Sequence, residues 1–98
     1  MRTAGLTRAS YPAINPGTTQ TLAVGAASAA TATAIGAPLV RLISTAPCYV
    51  AFGVAPTATA ASMYLAANVP EYFVLNMTDQ VAALQVSSAG TLFVTPAQ

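Results

Sequence analysis

The chain has 98 residues, carries a net charge of +1, contains neither histidine nor lysine, and only 5% of its residues are charged. A chain of this length forms one domain around one core, and an ordinary soluble domain is about 25% charged. Three arginines cannot supply the basic cluster that phosphate binding requires, so direct nucleic-acid binding is excluded as the expected activity.

The first nineteen residues predict an N-terminal arm. Arg2 and Arg8 lie near its start, and two prolines and a glycine then interrupt any regular structure. Chain termini of this composition become ordered when something binds them. We therefore expect residues 1–17 of this arm to be ordered only against a neighbouring subunit, and residues 20–98 to form a single β domain.

The first half of the domain predicts short strands separated by proline. Thr and β-branched or aliphatic residues favour extension, and Pro38, Pro47 and Pro56 mark the ends of segments. The stretch Gly25–Ala37 has neither an apolar stripe nor capping residues, so we expect it to be extended or irregular. The predicted strands are Thr21–Val24, Leu39–Thr45 and Cys48–Val54, the last with Cys48, Val50, Phe52 and Val54 on one face.

The second half continues in the same way. Thr57–Ala61 has the composition of a loop, and Asn76–Asp79 that of a turn whose side chains bond their own backbone. The predicted strands are Ser62–Leu65, Glu71–Leu75, Gln80–Ser87 and Thr91–Thr95.

The last two of these strands predict a hairpin. Ser88, Ala89 and Gly90 would form its loop, with Gly90 at positive φ. In this register Leu84 and Val86 face the core, and Leu92 or Phe93 lies opposite them. Strands of this length and spacing indicate an all-β fold without substantial helix, a small antiparallel β-sandwich or barrel.

The residues offer little for catalysis, and we expect no enzyme, no cofactor and no metal site. Without histidine or lysine, neither the lone Cys48 nor a serine has an activating base, so Cys48 is interpreted as a buried apolar residue. The two carboxylates, Glu71 and Asp79, make a poor calcium site and a poor glycosidase pair.

Membrane segments are not expected either. The best candidate span, Leu22–Val40, is mostly Ala, Thr, Gly and Ser and contains a proline, so it lacks the roughly 20 predominantly apolar residues of a spanning helix. No apolar core of a secretory signal follows the first arginines.

The scarcity of charge predicts association instead. Near-neutral small domains tend to associate, so we expect a homo-oligomer or another assembly; the alternative is that genome base composition alone makes the chain rich in Ala and Thr. The candidate interface residues are Arg2, Arg8, Arg41, Tyr49, Tyr64 and Tyr72. The alternatives are that Arg41 lies on a solvent face with its stem along the sheet, and that the tyrosines, with Phe73, fill a core or an interface.

Several runs resemble a group of small proteins encoded among the head and tail structural genes of tailed phages and prophages. They are Val40-Arg41-Leu42, Cys48 to Gly53, Pro56 to Ala60, Ser62-Met63, Pro70 to Phe73, Val81 to Gln85 and Gly90 to Thr95. The resemblance covers about residues 20–96 and consists of strand and turn residues, so it indicates fold more directly than function.

The resemblance implies a jelly-roll-like virion protein that is assembled in the host cytoplasm. Its implied role is capsid decoration or cement, as a homo-oligomer bound to the major capsid protein. A neck or tail component is the alternative within this class. A small carbohydrate- or receptor-binding module is the alternative from another class, and a glycan-binding screen separates it from the structural roles.

Overall fold

The computed structural model describes residues 16–97, which form eight β-strands. The predicted arm lies outside the described residues except for 16–19, and Arg2 and Arg8 lie in the part outside. The strands are β1 Gln20–Val24, β2 Ala29–Ala30, β3 Leu39–Ser44, β4 Cys48–Gly53, β5 Met63–Leu65, β6 Glu71–Val74, β7 Gln80–Gln85 and β8 Gly90–Ala97.

The strands form two antiparallel sheets of four. Their orders are β1-β8-β3-β6, called sheet A below, and β2-β7-β4-β5, called sheet B. The two sheets pack as a sandwich with a jelly-roll strand order, which confirms the predicted all-β class and decides between the sandwich and the barrel. Within residues 16–97 no helix has the length and hydropathy needed to span a membrane.

Buried and partly exposed side chains alternate along the strands, and the buried ones form the core. In β3, Val40, Leu42 and Ser44 are buried while the residues between them are half-exposed, and in β4 Cys48 and Val50 point inward in the same way. The rings of Phe52 and Phe73 pack 5.3 Å apart between β4 and β6, which joins the two sheets. The inward side chains form one apolar cluster between the sheets: Leu22, Val24, Ile35, Ala37, Val40, Leu42, Cys48, Val50, Leu65, Leu75, Val81, Ala83, Leu92 and Val94.

The stretch Gly25–Ala37 contains only the two-residue strand β2, in agreement with the prediction of extended or irregular chain. Thr31, which is 3% exposed, holds it against β7. Its backbone N–H donates to the Val81 carbonyl (2.9 Å), and its hydroxyl oxygen accepts from the Val81 N–H (3.2 Å). The Gln80 side chain adds a 2.7 Å bond to the Thr31 carbonyl.

The predicted hairpin between the last two strands is wrong. β7 pairs with β2 and β4 in sheet B, whereas β8 pairs with β1 and β3 in sheet A. The connection 86–89 therefore crosses from one sheet to the other, and Gly90 does not have positive φ. Local composition predicts a break between the two strands, but it does not specify which strand the following segment pairs with.

The predicted inner face of β7 is also wrong. Val81 and Ala83 lie in the core, while Leu84 is half-buried on the opposite face and Val86 is 39% exposed. Both faces of this strand are apolar, so alternation could not identify the inner one. The predicted inward position of Val54 fails as well, because β4 ends at Gly53 and Val54 is 75% exposed.

Candidate interaction surfaces

The outer face of sheet B is an uncharged surface around two tyrosines. Tyr49 in β4 lies between Tyr64 of β5 and Leu84 of β7 in the register of the sheet. The two tyrosine rings meet edge to face, with centroids 6.3 Å apart, and Tyr64 is 54% exposed. We name this surface the tyrosine face: Tyr49, Ala51, Tyr64 and Leu84.

The outer face of sheet A is also largely apolar and carries one charge. Because Val40, Leu42 and Ser44 point inward, the alternate residues of β3 point outward. Arg41 lies directly opposite Tyr72 of β6 and Thr95 of β8. We name this surface the arginine face: Leu39, Arg41, Ile43, Tyr72, Val74 and Phe93.

The structure therefore divides the candidate interface residues between opposite sides of the sandwich. Tyr49 and Tyr64 form a cross-strand pair on the tyrosine face, and Arg41 and Tyr72 form another on the arginine face. Arg41 is half-buried on the outer surface of sheet A. Neither Tyr64 nor Tyr72 is a core residue, since about half of each side chain is exposed.

The two carboxylates do not form a common site. Asp79 closes the 76–79 turn: its carboxylate accepts from the Asn76 N–H (3.0 Å), and its own N–H donates to the Asn76 carbonyl (2.9 Å). Glu71 begins β6 and lies opposite Leu42. Throughout residues 16–97, no three metal-ligating side chains come together.

Cys48 lies in the core, as predicted, and is fully buried. Burial raises the pKa of its thiol above the ordinary value, and a hydrogen bond with Ser44 lowers it by a smaller amount. The Ser44 hydroxyl donates its proton to the Ala46 carbonyl at 2.6 Å. The thiol is therefore protonated near neutral pH, which removes the reactive thiolate form.

Sequence analysis missed the most exposed apolar residue of the arginine face. Val74 is 85% exposed at the edge of sheet A. Its strand, EYFV, was predicted, and alternation places Tyr72 and Val74 on the same face. Both faces of β6 carry apolar residues, so its sequence does not say which face points outward. The packing of Phe73 against Phe52 decides that.

The fold and its surfaces define a small jelly-roll sandwich with two apolar outer faces. Over its described residues the structure contains no pocket. No protein-family model matches the chain, and neither a curated protein nor a solved structure matches it.

Proposed function

We propose that the chain is a structural protein of a tailed-phage particle, which decorates or cements the capsid as a homo-oligomer bound to the major capsid protein. The observation that supports this most directly is the pair of apolar faces on opposite sides of one sandwich. Of their ten members, only Arg41 is charged.

Two such faces suit a protein that is packed between neighbours. In a monomer these two faces expose apolar side chains such as Tyr64, Tyr72 and Val74 to water. Burying such side chains against another protein gains about 25 cal/mol for each Å² of apolar surface. With few charged residues in the whole chain, electrostatic repulsion opposes association weakly.

The fold agrees with this role without assigning it. Jelly rolls recur in virus capsid proteins, and also in lectin domains and cupins, so fold alone does not specify function. The resemblance of residues 20–96 to phage head and tail proteins favours the virion among these classes.

The test is binding of the purified chain to phage heads that lack it, followed by imaging of the particles. Tyr64→Arg places a charge on the tyrosine face and Ile43→Arg on the arginine face, while Thr57→Arg adds the same charge to an exposed loop as the matched control. We expect at least one face variant to lose binding and the loop variant to retain it.

Particle images separate the remaining roles. Density for the chain on the capsid lattice supports decoration or cement, whereas density at the neck or tail supports the alternative structural role. Absence from particles, together with specific retention on a glycan array, would overturn the proposal in favour of a binding module.

A further inference from the structure

Within residues 16–97, the outer edge of β6 presents backbone groups that no other strand pairs with. Among the described strands, β6 is the last of sheet A and pairs with β3, in a register that places Val74 opposite Leu39 and Phe73 opposite Val40. The Leu75 N–H donates to the Pro38 carbonyl at 2.9 Å. Since hydrogen bonding alternates along an antiparallel strand, residues 71, 73 and 75 bond to β3, and Tyr72 and Val74 direct their N–H and C=O groups away from it.

The side chains at this edge are apolar as well. Tyr72 is 50% exposed and Val74 is 85% exposed. Natural edge strands are commonly protected by lysine, proline or a bulge, and residues 72–74 contain none of these. The other edges differ: β2 has two residues and β5 three, and the outward residues of β1 are Thr21 and Ala23, which offer little apolar area.

We infer that β6 pairs with β6 of a second copy, antiparallel and about a two-fold axis through Phe73, so that sheet A continues across the dimer. This inference deepens the proposed function and rests on the self-association that the function includes. In this register Tyr72 lies opposite Val74 of the second copy, and the two residues exchange both of their backbone hydrogen bonds. The two-fold axis repeats the exchange, which gives four bonds.

The register displaced by one pairing position toward Pro70 satisfies fewer groups. A two-fold axis through Tyr72 pairs Val74 with Pro70 of the second copy, and proline has no N–H to donate. The favoured register also separates the like charges. Each Glu71 lies opposite Leu75 of the other copy, and the two carboxylate-bearing residues are four positions apart, about 13 Å along the strand, which is more than the screening length of about 8–10 Å.

Paired cysteine variants test the register directly. Residues in a hydrogen-bonded antiparallel pair have Cα atoms about 5.5 Å apart, within disulfide range. Under oxidising conditions, we expect a mixture of Tyr72→Cys and Val74→Cys proteins to form a disulfide-linked dimer that neither variant forms alone. Wild type controls for Cys48, which is buried. No covalent dimer in the mixture, or equal cross-linking of each variant alone, would overturn the register.

Sedimentation of the full chain tests the interface in solution. Val74→Lys should weaken dimerisation by about tenfold or more, because lysine at a free edge opposes pairing. Ala23→Lys is the matched control, since it adds the same residue to the outer face at the other edge of sheet A. It should change the dimer dissociation constant less than about twofold. Thermal unfolding verifies that both variants fold.

The outcomes distinguish this inference from the proposed function. If wild type associates and Val74→Lys associates equally well, the β6 inference fails and self-association stands. If wild type is monomeric at high concentration but binds phage heads, the β6 interface is wrong while the virion role is supported. If it is monomeric and binds no heads, both fail.

Discussion

Gly90 lies where β8 passes closest to the connection between β3 and β4. A Cβ atom on Gly90 would lie 2.7 Å from the Ala46 Cβ and 2.8 Å from the Thr45 hydroxyl oxygen. The same hydroxyl accepts from the Thr91 N–H at 2.9 Å, and the Thr45 N–H donates to the Thr91 carbonyl at 3.0 Å. Glycine is needed here for close approach of two backbones, a requirement separate from positive φ.

Gly90→Ala should therefore destabilise the domain by about 1–3 kcal/mol, as overpacking does in a site that cannot relax freely. Gly25→Ala is the matched control, because no atom lies within 4 Å of its added Cβ and its φ is not positive. The free energies of unfolding from chemical denaturation decide the comparison. Equal stability of the two variants would contradict the close approach.

Cys48 predicts a pH dependence with a definite sign. Its thiol pKa is raised in the folded protein, so the unfolded chain ionises first as pH rises. The stability due to the protonated buried thiol is complete below the unfolded pKa, near the ordinary value of 9.0. It is lost progressively as pH rises from there through the folded pKa, by at most about 1.4 kcal/mol per pH unit.

Denaturant titrations of wild type and Cys48→Val across this alkaline range measure the effect. The variant retains an apolar side chain of similar size but has no group to titrate, so the difference between the two proteins isolates the thiol. We expect the stability of wild type to fall relative to that of Cys48→Val as pH rises. A constant difference would show that the thiol titrates alike in both states.

At the scale of the element, the two faces of each strand differ in what they contribute. Leu42 in β3 is fully buried between the sheets, whereas Leu84 in β7 is half-buried on the tyrosine face. Leu42→Ala should cost about 2–5 kcal/mol, the usual range for a core leucine, because it removes buried surface and leaves a cavity. In the monomer, Leu84→Ala should lower the free energy of unfolding clearly less than Leu42→Ala does. Thermal or chemical unfolding of the two variants measures the difference.

The link between Thr31 and Val81 is the second feature at this scale. The Thr31 hydroxyl accepts from the Val81 N–H and donates to the Thr33 carbonyl (3.1 Å). Thr31→Val conserves the shape of the side chain but leaves the Val81 N–H and the Thr33 carbonyl without the hydroxyl. We expect this to lower the free energy of unfolding by about 1–3 kcal/mol. Thr33→Val, at an exposed position, is the control. Hydrogen exchange at the Val81 amide should accelerate in Thr31→Val alone.

At the scale of the whole molecule, the surface predicts how association responds to salt. The two outer faces contain a single charge, Arg41, so contacts between copies depend on apolar burial and backbone pairing. Salt therefore screens few charge–charge interactions between copies. Salts that are excluded from protein surfaces make the burial of apolar surface more favourable. Sedimentation at low and high ionic strength should give an equal or stronger association constant at high salt. Dissociation by salt would mean that the contacts are electrostatic.

The sequence by itself determined most of the strands and the fold class. Proline and glycine end segments through φ restriction and the loss of an N–H, and this local chemistry predicted β3, β4 and β6 to within one residue at each end. The low charge is a direct property of the composition. The burial of Cys48 could be predicted because a lone cysteine in an apolar stretch behaves as a small apolar residue. The uncharged outer strand positions followed from the same scarcity of charge.

The tertiary structure alone decided strand pairing and which faces point outward. β7 and β8 are adjacent in sequence yet lie in different sheets, because pairing depends on the packing of all eight strands and not on the composition of one turn. Strands such as β6 and β7 carry apolar residues on both sides, so alternation identifies two faces without saying which is buried. Packing of Phe73 against Phe52, and of Val81 and Ala83 in the core, makes that choice. The same packing leaves Tyr72 and Val74 at a free edge.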